Sequence, residues 1–152
     1  TKKQDIKSFD NSLGGIIIDE GEDYFQVNNE TPEGAILLLE DALDQKDIEK
    51  ALDCKDFMKE AEMLLAKKSK DPMPLNVIEK TAELLKLSFL KFLQESGIPS
   101  FDGVKRAFPL REKISNNHML VTEVCLYPDG GKSSQKLNVY LTDNGWKVLN
   151  PE

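Results

Sequence analysis

Four residues in the C-terminal half of the chain have side chains suited to acid–base chemistry: Arg106, Glu112, Glu123 and Tyr127. A buried glutamate beside an arginine can have its pKa raised by loss of hydration or lowered by the cation. An ordinary ion pair and solvent-exposed strand ends explain the same residues, because no local motif links them. We therefore predict no catalytic residue and keep these four as candidates for the lining of a pocket.

Other groups for nucleophilic catalysis or metal binding are scarce. The chain has a single histidine, His118, and two cysteines, Cys54 and Cys125. His118 follows an Asn116-Asn117 turn signal, which predicts an exposed hairpin tip. The acidic neighbours of Cys54 disfavour a thiolate, and Cys125 in its apolar strand is interpreted as a core residue. These counts exclude a zinc quartet and a disulfide framework, and we predict neither a metal nor a cofactor.

Acidic residues are concentrated near the N-terminus. The 152-residue chain has a net charge of −7, and residues 19–56 hold 13 acidic residues against three lysines, a net charge of −10. Binding to the backbone of nucleic acid needs clustered Lys and Arg, so we predict no nucleic-acid binding. The negative field instead favours a basic protein partner. The predicted contact residues are Asp19, Glu20, Glu22, Asp23, Glu40, Asp41 and Asp44.

The domain organisation follows from length and local pattern. Residues 1–29 are predicted to be an N-terminal segment with a short β-ribbon, in which residues 15–18 and 24–27 flank the acidic turn. Residues 30–152 are predicted to form a single domain. The longest apolar runs, such as Ala35–Leu39, are far shorter than the ~20 residues of a membrane span. With no leader pattern in the sequence, we expect a cytoplasmic protein without membrane contact.

Four helical segments come next. Thr31 and Pro32 suit the N-cap and first position of a helix. Two further helices are predicted over residues 47–53 and 56–68, and a long fourth helix is ended by Gly97. Glu40, Asp41 and Asp44 are predicted to lie mostly outside the apolar stripe of the first helix. In the fourth helix the apolar stripe consists of Ile78, Ala82, Leu85, Phe89 and Phe92.

From residue 104 the apolar period changes to two, which predicts strands over 104–114, 118–127, 135–142 and 146–150. Helices followed by an antiparallel meander indicate an α+β fold with the helices on one face of the sheet. A tight Asn116-Asn117 turn would pair Glu112 with Val121 and Phe108 with Cys125 on the face toward the helices. The same turn would pair Arg106 with Tyr127.

The opposite face of the sheet also contains apolar residues, which predicts a homodimer through that face. Its apolar members on the central strand are Leu120, Val124 and Leu126, and Tyr140 and Leu149 would extend the strip. Lys105, Arg111 and Lys113 share the face and would lie at the rim of such an interface.

Two segments carry a resemblance to a known family. Residues 32–52, with the phrase Ala42-Leu43 and Asp47, followed by Phe57, look like the opening helix pair of nuclear transport factor 2-like domains. The ending Gly145-Trp146-Lys147-Val148 is similar to the last strand of that superfamily. The resemblance covers residues 30–150 and implies a conical fold in which a curved sheet wraps a long helix and often leaves a pocket.

The resemblance leaves two functions open. The first is a non-catalytic protein-binding module, such as a bacterial immunity protein that neutralises a basic toxin through the acidic surface. The alternative is a small-molecule-binding protein, or a cofactor-free isomerase, dehydratase or hydrolase, with a pocket of at least ~300 Å³ containing converging polar groups. A cone filled by phenylalanines would exclude that alternative. The candidate pocket residues are Phe89, Phe92, Arg106, Phe108, Glu112, Glu123 and Tyr127.

Overall fold

The computed structural model describes residues 17–18 and 25–151. Four helices precede most of an antiparallel sheet, which agrees with the predicted α+β class. The helices are α1 (Pro32–Asp44), α2 (Ile48–Asp53), α3 (Phe57–Lys68) and α4 (Leu75–Ser96). The strands are β1 (Ile17–Ile18), β2 (Lys105–Ser115), β3 (His118–Leu126), β4 (Lys132–Thr142) and β5 (Gly145–Pro151).

The sheet is an open meander of β2 to β5, with the short β1 added at the edge of β2. All neighbouring strands are antiparallel. The predicted ribbon is only partly found, because β1 pairs with β2 and residues 25–27 are not a strand. Its acidic turn lies outside the described residues. The outer edge of β5 is covered by the chain between α2 and α3, where the Val148 amide donates to the Cys54 carbonyl at 2.8 Å.

Helix α1 starts where local chemistry predicts it. The Thr31 hydroxyl accepts a hydrogen bond from the Gly34 amide at 2.9 Å, and Pro32 needs no amide partner at the first position. Ile36 and Leu37 of α1 are buried against the sheet. A core of buried apolar side chains thus holds α1 across the strands.

The pairing of β2 with β3 differs from the prediction by two β-bulges. A shift between Lys113 and Ser115 places Arg111, instead of Glu112, opposite Val121. Because a slip of one residue exchanges the faces of a strand, Arg111 turns toward the helices. A second shift, between Ala107 and Leu110, includes Pro109 and returns the first residues of β2 to the sheet faces predicted for them. It places Arg106 opposite Cys125. Proline has no amide hydrogen for the ladder and is typical of such positions.

Helix α4 packs closely on α3 and leaves a space on its side toward the sheet. Ala82 and Leu93 are its buried residues, and Gly97 ends it with a positive φ of 85°. The predicted burial of Phe92 is wrong, since 58% of this side chain is exposed. Leu93 instead packs with the end of α1 and with α2. Within the described part of the chain, no helix is long and apolar enough to cross a bilayer.

The sheet face away from the helices is less apolar than predicted. Leu120 is buried, and Val124 and Leu126 are half-buried. Leu149, expected on this face, lies on the helix side because a further register shift occurs between β4 and β5. Arg111 also leaves this face through the bulge described above. The homodimer stays a prediction, with a smaller apolar strip to support it.

Candidate functional site

A cavity of about 500 Å³ lies between α4, α1 and the sheet. Its floor is formed by Ile36 of α1 and by Leu137, Val148 and Leu149 of the sheet, all buried. Its mouth lies at exposed residues, of which Ser88 and Phe92 belong to α4 and Gln135 to β4. The polar residues of the wall are Glu40, Lys55, Ser88 and Gln135. The cavity is therefore mainly apolar, with a few polar groups.

The three phenylalanines that could have filled this space do not do so. Phe89 is half-buried in the wall, and its ring packs on that of Phe57 with centroids 6.0 Å apart. Phe92 lines the mouth. Phe108 does not line the cavity, since it is buried in the core edge-on to Phe25 with centroids 5.6 Å apart. The space between α4 and the sheet thus stays open.

A group of charged residues lies at the α1 side of the cavity. Glu40 Oε1 accepts a hydrogen bond from Arg106 Nη1 at 3.1 Å. Glu123 is fully buried, and one ligand atom each of Glu40, Glu123 and Cys125 lie within 4.8 Å of one another. Gln135 Nε2 donates to Glu123 Oε1 at 3.2 Å, while Glu123 Oε2 and Arg106 Nε are buried with no hydrogen-bond partner among the described residues. Arg106 therefore pairs with Glu40, and a second buried carboxyl group, that of Glu123, lies beside this pair.

The closeness of these buried groups favours the protonated forms of Glu40 and Cys125. Burial raises the pKa of Glu40 well above its usual value, and the charge and hydrogen bond of Glu123 raise it further, against the opposing effect of Arg106. Burial also raises the pKa of Cys125 to about 12, and Glu123 and Glu40 contribute to that rise. Cys125 is therefore a neutral thiol in the folded protein and not an activated nucleophile. Its side chain fits the predicted core role.

Glu40, Glu123 and Cys125 have donor atoms close enough to surround a metal ion. Arg106 already places a cation against Glu40, however, and a thiol with a pKa of about 12 is reluctant to become the thiolate that a metal needs. The geometry thus fits a shared proton and an arginine better than it fits a metal ion.

The raised pKa of Glu40 predicts a loss of stability as the pH rises above the ordinary glutamate pKa. In the folded state Glu40 keeps its proton at a pH where the unfolded chain has released it. Its contribution to the free energy of unfolding is therefore complete below the ordinary glutamate pKa and is lost as the pH rises through the pKa of the folded state. Within that window the free energy of unfolding should fall by up to about 1.4 kcal/mol per pH unit. Urea unfolding at several pH values measures it. Glu40→Gln should make the free energy of unfolding less dependent on pH. Equal slopes of this free energy against pH for the wild type and the variant would contradict the prediction.

A second buried charge pair lies on another part of the cavity wall. Lys55 Nζ is 3.0 Å from Glu60 Oε1, and both side chains are 4% exposed. Neither oxygen of Glu60 makes a well-directed hydrogen bond, so the contact is an ion pair. The same ammonium lies 5.6 and 5.3 Å from the ring centroids of Phe57 and Phe89. A cation is therefore held among aromatic rings beside the cavity.

Sequence reasoning missed Lys55 and Glu60 and misplaced Glu40. Glu40 is buried, which corrects its expected place on the acidic surface. A signal was present, because Glu40 is four residues after Ile36, within the apolar stripe of α1, and Glu60 is three residues after Phe57 on one face of α3. Lys55 had no such signal, since lysine is almost always exposed unless it is paired.

No family model matches the chain, and neither the curated proteins nor the solved structures include a significant match. A function can therefore be proposed only from the geometry of the site.

Three of the predicted pocket residues lie elsewhere, and Phe108 in the core is the first of them. Glu112 is exposed on the sheet face away from the helices, opposite Leu120, as a result of the bulge in β2. Tyr127 is 39% exposed at the end of β3, and its hydroxyl is 2.7 Å from Ser133 Oγ. Phe89 and Phe92 line the cavity, whereas Arg106 and Glu123 lie behind its wall, where Arg106 donates to Glu40 and Glu123 accepts from Gln135.

His118 is not at an exposed hairpin tip, as the turn signal predicted. It is 8% exposed, and its ring stacks on Tyr140 with centroids 4.4 Å apart. Its Nε2 lies 2.7 Å from Asn138 Oδ1. Cross-strand packing of β3 on β4 thus buries a residue that the local turn alone would expose.

The predicted partner surface is only partly described. The acidic residues 19–23 lie outside the described residues, and Glu40 belongs to the cavity wall. Asp41 Oδ2 accepts a hydrogen bond from Gln45 at 3.2 Å. Asp44 Oδ1 accepts from the Phe101 amide at 2.9 Å and so holds the loop that contributes Phe101 to the cavity. Asp44 therefore has a structural contact that sequence reasoning did not predict.

Proposed function

We propose that the protein binds a small, largely apolar molecule in the cavity between α1, α4 and the sheet. The cavity itself carries this proposal, because its volume of about 500 Å³ falls within the range of about 300–1,000 Å³ typical of ligand sites. Protein interiors contain few voids larger than a water molecule. A space of this size, with mainly apolar walls and a few polar groups, matches the composition of small-molecule sites.

The charged residues of the wall support the same proposal. A buried ion pair often contributes less to stability than apolar residues of similar volume would. Two such arrangements, Glu40 with Arg106 and Lys55 with Glu60, border one cavity. Polar groups that a core would not need are expected where a ligand must be oriented.

The finer fold is part of the proposal. Helices that precede an antiparallel meander, a long helix lying across a cavity and bulges that bend β2 are the features expected of a nuclear transport factor 2-like cone. In such a cone the ligand would lie between α4 and the concave face of the sheet.

A protein-binding module for a basic partner, such as an immunity protein, is the second candidate. Exposed acidic residues around α2 support it, namely Asp44, Asp47, Glu49 and Asp53. Glu33 and Glu40 weaken this surface, because they pair with Arg111 and Arg106. Since two of the acidic side chains are internal, the cavity is the better-supported site.

Binding of the neutral dye Nile red tests the cavity. We expect saturable binding at one site, followed by the rise in dye fluorescence. Ser88→Trp, at the mouth, should weaken binding about tenfold or more, or by about 1.4 kcal/mol, because the indole would occupy cavity space that the dye needs.

The matched control is Leu84→Trp on the same helix. Leu84 is 64% exposed and does not line the cavity, so this change should leave dye binding unaltered. Equal dye affinity for the two tryptophan variants would contradict the proposed site.

A further inference from the structure

We propose that the ligand carries a cationic amine, with its ammonium group on the Glu40 carboxylate and its apolar body in the cavity. This inference rests on the proposed function, because it needs the cavity to be a binding site. It goes further by assigning the ligand a charge and a point of attachment.

The charge balance around the cavity carries the argument. The acidic side chains at its wall are Glu40, Glu123 behind it and Glu60, whereas the basic ones are Arg106 and Lys55. Lys55 and Glu60 pair with each other at 3.0 Å. Among the described residues, Arg106 is then the one cation beside Glu40 and Glu123, so a proton on Glu40 completes the charge balance when no ligand is bound. A monocation bound at Glu40 would take the place of that proton.

The second carboxyl group beside Glu40 is a further observation. Glu123 is fully buried, and no N–H or hydroxyl group of the described residues donates to its Oε2, which leaves the proton of Glu40 as the donor available to it. A buried acceptor without a donor is costly, and an ammonium group offers three donors. Glu40 lines the cavity and lies close to Glu123, so an ammonium on Glu40 would bring donors to this region.

The walls near Glu40 suit an organic cation. Phe89, Phe92 and Phe101 contribute aromatic rings to the cavity. Ring faces attract cations, as the guanidinium of Arg106 already shows by lying 5.5 Å from the centroid of Phe101. A carboxylate combined with aromatic side chains provides both charge and dispersion contacts for an apolar amine.

Proton exchange gives the inference a distinctive signature. Without ligand, burial and Glu123 favour a proton on Glu40, and the other charged or titratable groups facing it are Arg106 from β2 and Cys125 from β3. Lys55 faces the same cavity from the segment before α3. An ammonium must displace the proton, so amine affinity should rise with pH, by up to tenfold per pH unit, until the pH reaches the pKa of Glu40 or of the amine.

Three probes of similar shape test the ligand class: 2-naphthylmethylamine, 2-ethylnaphthalene and 2-naphthoate. Each is titrated into the 152-residue chain by displacement of Nile red. The ammonium should bind roughly tenfold or more tightly than the hydrocarbon, as expected of a hydrogen bond to a charged group. Calorimetry of the amine in two buffers of different ionisation enthalpy should show release of a proton.

Glu40→Gln should remove the preference for the amine and the proton release while leaving the affinity of 2-ethylnaphthalene unchanged. Glu112→Gln makes the same chemical change at an exposed site outside the cavity and should alter nothing. If Glu40→Gln does not fold, the pH series and the buffer-dependent heats of the wild type still decide the question.

The outcomes separate the two proposals. Binding of all three probes with equal affinity would overturn the amine inference and leave the cavity as a binding site. Tightest binding of 2-naphthoate would also overturn it and would assign the head-group preference to Lys55. Failure of Nile red and of every probe to bind would overturn the proposed function itself.

Discussion

Lys55→Met is expected to lower the free energy of unfolding by about 3–5 kcal/mol, the cost of leaving one partner of a buried ion pair uncompensated. Glu60 would keep a carboxylate with 4% exposure and without its ammonium partner at 3.0 Å. Neither of its oxygens makes a compensating hydrogen bond within the described residues. Urea unfolding followed by circular dichroism measures the change.

The double variant Lys55→Met/Glu60→Leu separates charge from packing. We expect it to recover most of the lost stability, because replacing both partners by apolar side chains leaves no buried charge. Lys59→Met is the matched control, since Lys59 forms a more exposed pair with Glu62 at 2.9 Å and should change stability by less than about 1 kcal/mol. A Lys55→Met protein as stable as the Lys59→Met protein would refute the importance of the buried pair.

Gly34→Ala is expected to cost about 3 kcal/mol or more, because it introduces atoms where backbone already lies. A Cβ at Gly34 would be 2.4 Å from the Gln26 carbonyl oxygen and 2.5 Å from that of Asn28. Backbone atoms cannot turn away as the end of a flexible side chain can, so the start of α1 would have to move. Thermal unfolding should show a clear decrease in midpoint.

Gly131→Ala serves as the control for the glycine change. Its Cβ would be 3.1 Å from an oxygen of Asp129, an exposed side chain that can move. We expect an effect below about 1 kcal/mol. Similar midpoints for the two alanine variants would show that the segment before α1 accommodates the added methyl group, against our expectation.

The buried acids of this protein show where sequence reasoning succeeds only partly. Glu40 and Glu60 occupy positions of apolar stripes, so the period of each helix indicates which way they face. Whether such a glutamate is tolerated depends on a cation from elsewhere, and for Glu40 that cation is Arg106, 66 residues later in the chain. Two bulges in β2 move Arg106 along β3, from the predicted position opposite Tyr127 to one opposite Cys125, and only Pro109 indicates one of these bulges in the sequence.

The sequence by itself determined the local elements: the start of α1 at Thr31 and Pro32, the end of α4 at Gly97 and the positions of the four long strands. These follow from capping, backbone freedom and side-chain period, which act over a few neighbouring residues. The tertiary structure alone decided strand register, the burial of Glu40 and the open cavity beside Phe89. Phenylalanine suits a filled core and a cavity wall equally, and the spacing between a helix and a sheet depends on contacts among residues far apart in the chain.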